Sequence, residues 1–332
     1  MNTVKNKKDK RAVILRSAII ALSVVLLITS LFMFIKEWEK DYGRFQESTE
    51  VLEKDLSYNG KQYAYKKNLE TILLLGLDKF SNEDSGYNND KQADFLMLLA
   101  IDHSAKICYP IQINRDSMVN MDVLGVAGDK IGTVKKQIAL SHTYGNGREV
   151  SCRNAANAVS NMLLGVEIDH YVSVTMDAVS VYNDFVGGVA IEILDDFTGI
   201  DDTMIQGEVV KLTGDQALRY VRSRSGLDDS TNNNRMKRQK QYLEALYEKS
   251  RALSAADESF VQKAALKVTD YIVSDCSANK LESLVKTISS YERSGIINFE
   301  GETIRGEEFM EFYPDGAMIK EVVVDCFYEE KA

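Results

Sequence analysis

Proline is nearly absent: Pro110 and Pro314 are the only two in 332 residues, which excludes a long proline-rich linker. The four cysteines, Cys108, Cys152, Cys276 and Cys326, form no Cys-x-x-Cys pair, and that argues against a zinc site. In an external compartment they are able to form disulfides; as small hydrophobes they pack equally well unpaired. Only three histidines occur, His103, His142 and His170. They fall in no motif and read as structural. There is no internal repeat and no low-complexity segment.

The N-terminal charge pattern is informative. Lys5, Lys7, Lys8, Lys10, Arg11 and Arg16 precede an uncharged, mostly apolar stretch from Ser17 to Ile35. At ~1.5 Å per residue its length is close to the roughly 30 Å of a bilayer core. The end of the stretch and its polar flank, Phe34-Ile-Lys-Glu-Trp-Glu39, lack a small-residue cleavage site, so an uncleaved anchor fits better than a signal peptide. The basic flank puts the N-terminus in the cytoplasm and the rest outside. The expected organisation is a basic tail (1–16), a transmembrane anchor (17–35), a stalk and hairpin (36–69) turning at Asn59-Gly60, and one extracellular domain (70–332). The chain carries net charge −10; residues 1–35 carry six basic groups and one aspartate, so the remainder is −15. An outer domain that acidic is a poor partner for nucleic acid, which demands a basic footprint.

Within the domain, Thr71–Gly76 and Phe95–Ile101 are continuous apolar runs, as expected of strands buried on both faces. Ile107–Ile113 follows a tight turn and predicts an antiparallel partner. Apolar spacing predicts helices over 133–144 and 149–164. His170–Met176 alternates as a strand, Asp177 is placed to cap a helix that Gly187-Gly188 ends, and Val189–Leu194 and Gly207–Leu212 predict further strands. A helix is expected from Thr213 and a long one over 232–252, with more helices to about 292. Alternating strands and helices give an α/β class: one mixed sheet with helices on both faces, preceded by the single membrane helix.

Four features carry chemistry. Asp78 follows one buried strand and Asp94 opens the next, so the two carboxylates can share a divalent cation; each also suits a loop or a helix cap. Arg115-Asp116 follows the third strand and reads as a catalytic pair or a structural ion pair. Residues 213–241 hold seven Lys or Arg and three Asp, net +4, a basic focus in an acidic domain. Arg222 and Arg224 share a side if extended. Arg235, Arg238 and Gln239 share a helix face near its N-terminus, where anions are favoured. Guanidinium forks suit phosphate, so this stretch reads as a pyrophosphate clamp or as a solvated basic face.

The order of motifs over about 70–250 resembles the LytR-CpsA-Psr family of cell-envelope glycopolymer transferases. It runs through Leu75-Gly-Leu-Asp78, Ala93-Asp94-Phe95, Asn114-Arg115-Asp116, Gln137–Gly145, Gly187-Gly-Val189, Leu212–Arg224 and Arg235-Met-Lys-Arg-Gln239. The resemblance implies a hydrophobic groove for a polyprenyl tail, Mg²⁺ on Asp78 and Asp94, and head-group contacts from Arg115, Arg222, Arg224, Arg235, Arg238 and Gln239. The implied reaction moves an anionic glycopolymer, teichoic acid or capsular polysaccharide, from a polyprenyl (pyro)phosphate to peptidoglycan. Arg115, Asp116, Arg222 and Arg224 are the candidate catalytic residues, Asp116 as base. Three positions depart from the family pattern: Gln92 stands where the family has arginine, Gln137 where it has lysine, and Asn232 where it has an acid. Lys136 or Lys130 is the expected substitute for the lysine, Lys136 as a pyrophosphate ligand. The departures also admit an inactive lipid-pyrophosphate-binding homologue or a lipid pyrophosphatase acting in envelope regulation.

Overall fold

The computed structural model describes residues 55–78, 92–223, 232–307 and 309–331. The chain divides into two units, 1–51 and 52–332, and all described residues lie in the second. The anchor expected at 17–35 lies outside them; among the described residues no helix is long and apolar enough to cross a membrane.

The first hairpin, β1 (Asp55–Tyr58) and β2 (Lys61–Tyr65), turns at Asn59 and Gly60 with φ of 49° and 78°. Both residues lie in the left-handed region that a two-residue hairpin turn requires. Next come β3 (Leu69–Leu77), β4 (Ala93–Asp102), β5 (Ile107–Ile113), β6 (Met118–Leu124) and β7 (Lys130–Gln137). A 3₁₀ turn over 138–143 leads to α1 (Glu149–Met162), β8 (His170–Thr175), α2 (Asp177–Phe185), β9 (Val189–Glu192) and β10 (Val209–Leu212). The chain continues through α3 (Gly214–Arg222), α4 (Asn232–Ala256), α5 (Phe260–Val268), β11 (Ile272–Ser274) and α6 (Ala278–Ser290). It ends with β12 (Glu292–Arg293), β13 (Ile297–Asn298), β14 (Gly301–Arg305), β15 (Met310–Pro314), α7 (Gly316–Phe327) and β16 (Tyr328–Glu330).

The main sheet has the order β11-β8-β3-β4-β5-β12, with β13 also on β5. β3 is parallel to β8 and antiparallel to β4, which is antiparallel to β5, so the sheet is mixed. The strand period of two divides its apolar residues between two layers. Leu73, Leu75, Leu96, Leu98 and Ile111 pack with Ala155 and Val159 of α1 and Val323 of α7. Ile72, Ile101, Cys108 and Val172 pack against Leu284 of α6 on the other face. Helices therefore cover both faces. A third core joins β9, β10 and α2–α5 through Ile191, Phe197, Tyr220, Tyr242 and Phe260.

Several expectations are corrected. Residues 133–144 are not one helix: up to Gln137 they form β7, paired with β6, and only 138–143 turn, as 3₁₀. Val134, Ile138 and Ala139 have helical spacing, yet the hairpin satisfies the backbone of Thr133–Gln137 first. Asp177 is the first residue of α2 rather than its cap; Met176 is the cap, with no side-chain hydrogen bond. The hairpin assigned to a stalk is part of the domain, because β2 pairs with the C-terminal β16. The cysteines are all free, and Cys108, Cys152 and Cys326 are buried. Burial pushes each of these three thiols up to about 12. The helix expected from about Thr213 is found as α3, and Thr213 itself is the N-cap, in a reciprocal box with Gln216.

Candidate active site

Three strand ends meet at one edge of the sheet. Leu77 of β3 pairs with Ala93 of β4 on one side and Thr175 of β8 on the other. Asp78 and Asp94 therefore follow and open adjacent strands. A bulge at Gly76/Leu77 brings β3 close to β4: a Cβ at Gly76 would lie 2.8 Å from the Phe95 Cβ. Ile113, the last residue of β5, pairs with Leu96, which delivers Asn114, Arg115 and Asp116 beside Asp94.

Arg115 is 6% exposed. Its guanidinium binds the Asp94 carboxylate and donates to the Gln92 side-chain carbonyl, and its Nε lies 3.5 Å from Asp116 Oδ1. Arg235, from the first turn of α4, brings a second guanidinium: Nη1 is 3.8 Å from Asp94 Oδ1, and Nη2 donates to the Asp94 carbonyl at 3.2 Å. The start of α4 is fixed by Asn232, whose Nδ2 donates to Asn114 Oδ1 at 2.9 Å. That oxygen also accepts the Asp116 N–H at 3.0 Å. Arg222, at the end of α3, donates from Nη2 to Asp78 Oδ2 at 2.9 Å and stays half exposed. Two carboxylates and three guanidinium groups thus share one sheet end, held by packing and backbone before any ligand arrives.

Among the described residues, the buried oxygens there without a hydrogen-bond partner include Asp78 Oδ1, Thr175 Oγ1 and Asn232 Oδ1. Buried oxygens seldom go unsatisfied. A hard cation on Asp78 is a chemically consistent partner, and it fits the pairing of Asp78 and Asp94 at neighbouring strand ends.

The sequence model of the LytR_cpsA_psr family matches residues 35–323. The chain belongs to the LytR-CpsA-Psr family. It is 29% identical over 185 residues to the polyisoprenyl-teichoic acid–peptidoglycan teichoic acid transferase TagU of Halalkalibacterium halodurans, covering 56% of this chain and 54% of that protein. It is 27% identical to the Enterococcus faecalis TagU over 73% of this chain and 71% of that protein. The chain thus spans between about half and under three quarters of the length of these curated relatives. Among solved structures, Bacillus subtilis TagV matches with a TM-score of 0.61 at 24% identity, over 79% of this chain and 96% of that one. TagT bound to LI-WTA matches at 0.59 and 20% identity, over 78% and 90%. At these identities the likeness is one of fold.

The LytR-CpsA-Psr departures all fall inside the cluster. Gln92 accepts from Arg115. Gln137 donates from Nε2 to Asp116 Oδ1 at 3.0 Å and to the Met310 carbonyl at 2.7 Å. The expected substitutes for the lysine lie elsewhere. Lys136, one residue along the strand, is exposed on the other side of the hairpin, and Lys130 pairs with Asp122 at 2.7 Å beyond it.

Two further expectations change. Arg238 is 1% exposed and faces away from the strand ends: it binds the Asp195 carboxylate, the Ser223 carbonyl and, from Nε at 2.8 Å, the Tyr220 carbonyl. Gln239 donates to the Val221 carbonyl at 3.2 Å, and its side-chain carbonyl accepts from Gln112 at 3.1 Å. Both latch the last turn of α3 and so position Arg222; they are not head-group ligands in this geometry. Asp116 is 6% exposed and engaged by Gln137, which suits orienting Arg115 better than taking a proton from a bulky acceptor. Arg224 lies outside the described residues. Thr175, Asn114 and Asp195 went unforeseen. Thr175 alone had a signal, its place at the C-terminal end of a strand parallel to β3, where α/β sheets bind ligands.

Proposed function

We propose that this chain transfers an anionic glycopolymer, teichoic acid or capsular polysaccharide, from a polyprenyl (pyro)phosphate to peptidoglycan. The observation that carries the proposal is the convergence of Arg115, Arg222 and Arg235 on Asp78 and Asp94 at one sheet end. The names of the related transferases supply the substrate class. Arg115 and Arg235 are oriented by Asp94, and Arg222 by Asp78, to receive phosphate oxygens in bidentate fashion. A peptidoglycan hydroxyl attacks the polymer's linked carbon or phosphorus and gives its proton to solvent, while the bond to the lipid (pyro)phosphate breaks and that group leaves with growing negative charge. Preorganised guanidinium groups stabilise that charge without rearranging, commonly the largest catalytic contribution. Mg²⁺ held by Asp78 and Asp94 would add Lewis-acid neutralisation of the phosphates. The segment 17–35 anchors the chain, with the N-terminus cytoplasmic and the domain at the outer surface where lipid-linked polymer and peptidoglycan meet.

The test is transfer of labelled polymer from a lipid-linked donor to peptidoglycan by the purified full-length chain in detergent. Covalent attachment that is lost in Arg222→Ala is expected. Donor binding without attachment would favour a second reading, a lipid-pyrophosphate-binding homologue. That reading draws on the neutral amides of Gln92 and Gln137 at positions where the family carries cations. Release of free polymer with water as acceptor would identify a pyrophosphatase instead.

A further inference from the structure

The opposite end of the sheet carries a second cluster of metal-binding side chains that the transfer reaction does not use. β11 runs antiparallel to β8 with Val172 opposite Ser274. Continuing that register by two residues sets His170 opposite Cys276 and Tyr171 opposite Asp275. Residues more than a hundred positions apart therefore meet across one strand pair. Donor atoms of His170, Asp275 and Cys276 all lie within 4.8 Å of one another. His170 Nδ1 is 3.5 Å from Asp275 Oδ1, and Cys276 Sγ is 3.8 Å from the same oxygen. A tetrahedral zinc with its usual bond lengths would set those two edges at about 3.3 and 3.5 Å, within a few tenths of an ångström of the distances found.

The surroundings orient the donors. The Arg153 guanidinium holds Asp275 Oδ2 at 2.6 Å, and the Tyr171 N–H donates to Oδ1 at 3.1 Å, so the carboxylate is fixed with Oδ1 toward the histidine and thiol. The other imidazole nitrogen, His170 Nε2, faces Glu70 Oε1 at 3.6 Å. Carboxylate, histidine and metal commonly line up in this way, and the carboxylate sets the tautomer that leaves Nδ1 free to ligate. Glu70 is itself held by Lys280 at 2.6 Å and His103 at 3.1 Å. Cys276 directly precedes Ser277, the N-cap of α6, so the start of that helix fixes its backbone. A cavity of about 490 Å³, lined by Asn68, Leu69, Glu70, His103, Asp169 and His170, opens on the Glu70 side of the imidazole.

We propose that His170, Asp275 and Cys276 form a binding site for a zinc-type divalent cation, with water or an incoming ligand in the fourth position. On binding, the Cys276 thiol releases its proton to solvent. Thiolate and imidazole donors select zinc over magnesium. The site is distinct from the arginine cluster: Glu70 and Asp78, at opposite ends of β3, are eight residues apart, roughly 26 Å at ~3.3 Å per residue. It stands or falls independently of the transferase reading. A bound ion would staple the edge strand β11 and the start of α6 to β8.

The test is titration of the full-length reduced chain in detergent with Co²⁺, followed by displacement with Zn²⁺. One equivalent with a thiolate-to-cobalt charge-transfer band is expected. Cys276→Ser and His170→Gln should abolish the band, and Asp275→Asn should weaken binding by about 10-fold or more. Cys152→Ser should leave the band intact; its Sγ lies 3.5 Å from His142 Nε2, but both side chains are fully buried. Zinc should also protect Cys276 of the unaltered chain from maleimide, a readout that survives if a variant fails to fold. A missing band at saturating Co²⁺, a band that persists in Cys276→Ser, or maleimide labelling indifferent to zinc would each overturn the site.

Discussion

Arg238→Met removes a guanidinium that is 1% exposed and replaces it with an apolar chain of similar length. The Asp195 carboxylate, 19% exposed, loses its cation, and the Tyr220 and Ser223 carbonyls lose a donor. Breaking one partner of a buried ion pair costs about 3–5 kcal/mol, because the other charge remains desolvated. Stacking of the guanidinium against Phe197 and Tyr220, at 5.7 and 6.0 Å, is lost as well. At roughly 2–3 °C per kcal/mol for a domain of this size, the melting temperature should fall by about 6–15 °C. The double variant Arg238→Met/Asp195→Asn should recover part of the loss, since it removes the stranded charge. Thermal unfolding followed by circular dichroism, with donor binding measured below the transition, separates the two roles open to Arg238. An unchanged melting temperature together with lost donor binding would refute the structural role and return Arg238 to the head group.

Other outcomes are expected from the same geometry. Arg222→Ala should leave stability within about 1 kcal/mol, because its pair with Asp78 is half exposed, while transfer falls on the order of 10²–10³-fold; normal turnover would reject the clamp. Asp78→Asn should abolish the response of transfer to Mg²⁺, checked by titration against EDTA, and metal-independent turnover in the unaltered protein would remove the metal assignment. Burial raises the Asp102 carboxyl, but the Ala105 N–H and the Lys66 ammonium, 3.1 Å away, hold it below its ordinary value of 3.8. Its contribution is therefore complete above that pH and is lost as pH falls through the lower folded value. The difference in melting temperature between the unaltered protein and Asp102→Asn should shrink below about pH 4; a constant difference would refute it.

The strands of the main sheet were legible because burial on both faces leaves an uninterrupted apolar run, as in Ile72 to Leu75 and again in Leu96 to Ile101. Asp78, Asp94 and Arg115 were legible for a related reason: charged residues at the ends of such runs have few places to go other than a shared edge. The hairpin of β6 and β7 was not legible. Its strands are only half buried, and Val134, Ile138 and Ala139 mimic a helical stripe. Arg238 misled because a guanidinium in a sequence has no direction. It shares a helix face with Arg235, yet one reaches forward to Asp94 and the other back to Asp195. The cross-strand meeting of His170 with Cys276 needs a register, and no local spacing encodes one.

The pairing of β2 with β16 sets a schedule for the chain's maturation. Tyr65 finds its partner Tyr328 only after more than 260 further residues have been made. Until then one edge of β2 stays open to wrong pairings, including those with other nascent copies. Lys61 and Lys66 sit at its two ends, each with a partner near the last residues: Lys61 on Glu330, Lys66 on the Asp325 and Cys326 carbonyls. While Glu330 is missing, the bare Lys61 ammonium acts as a gatekeeper against association; Lys66 already has Asp102, and once β16 is in place both groups clasp the strand end.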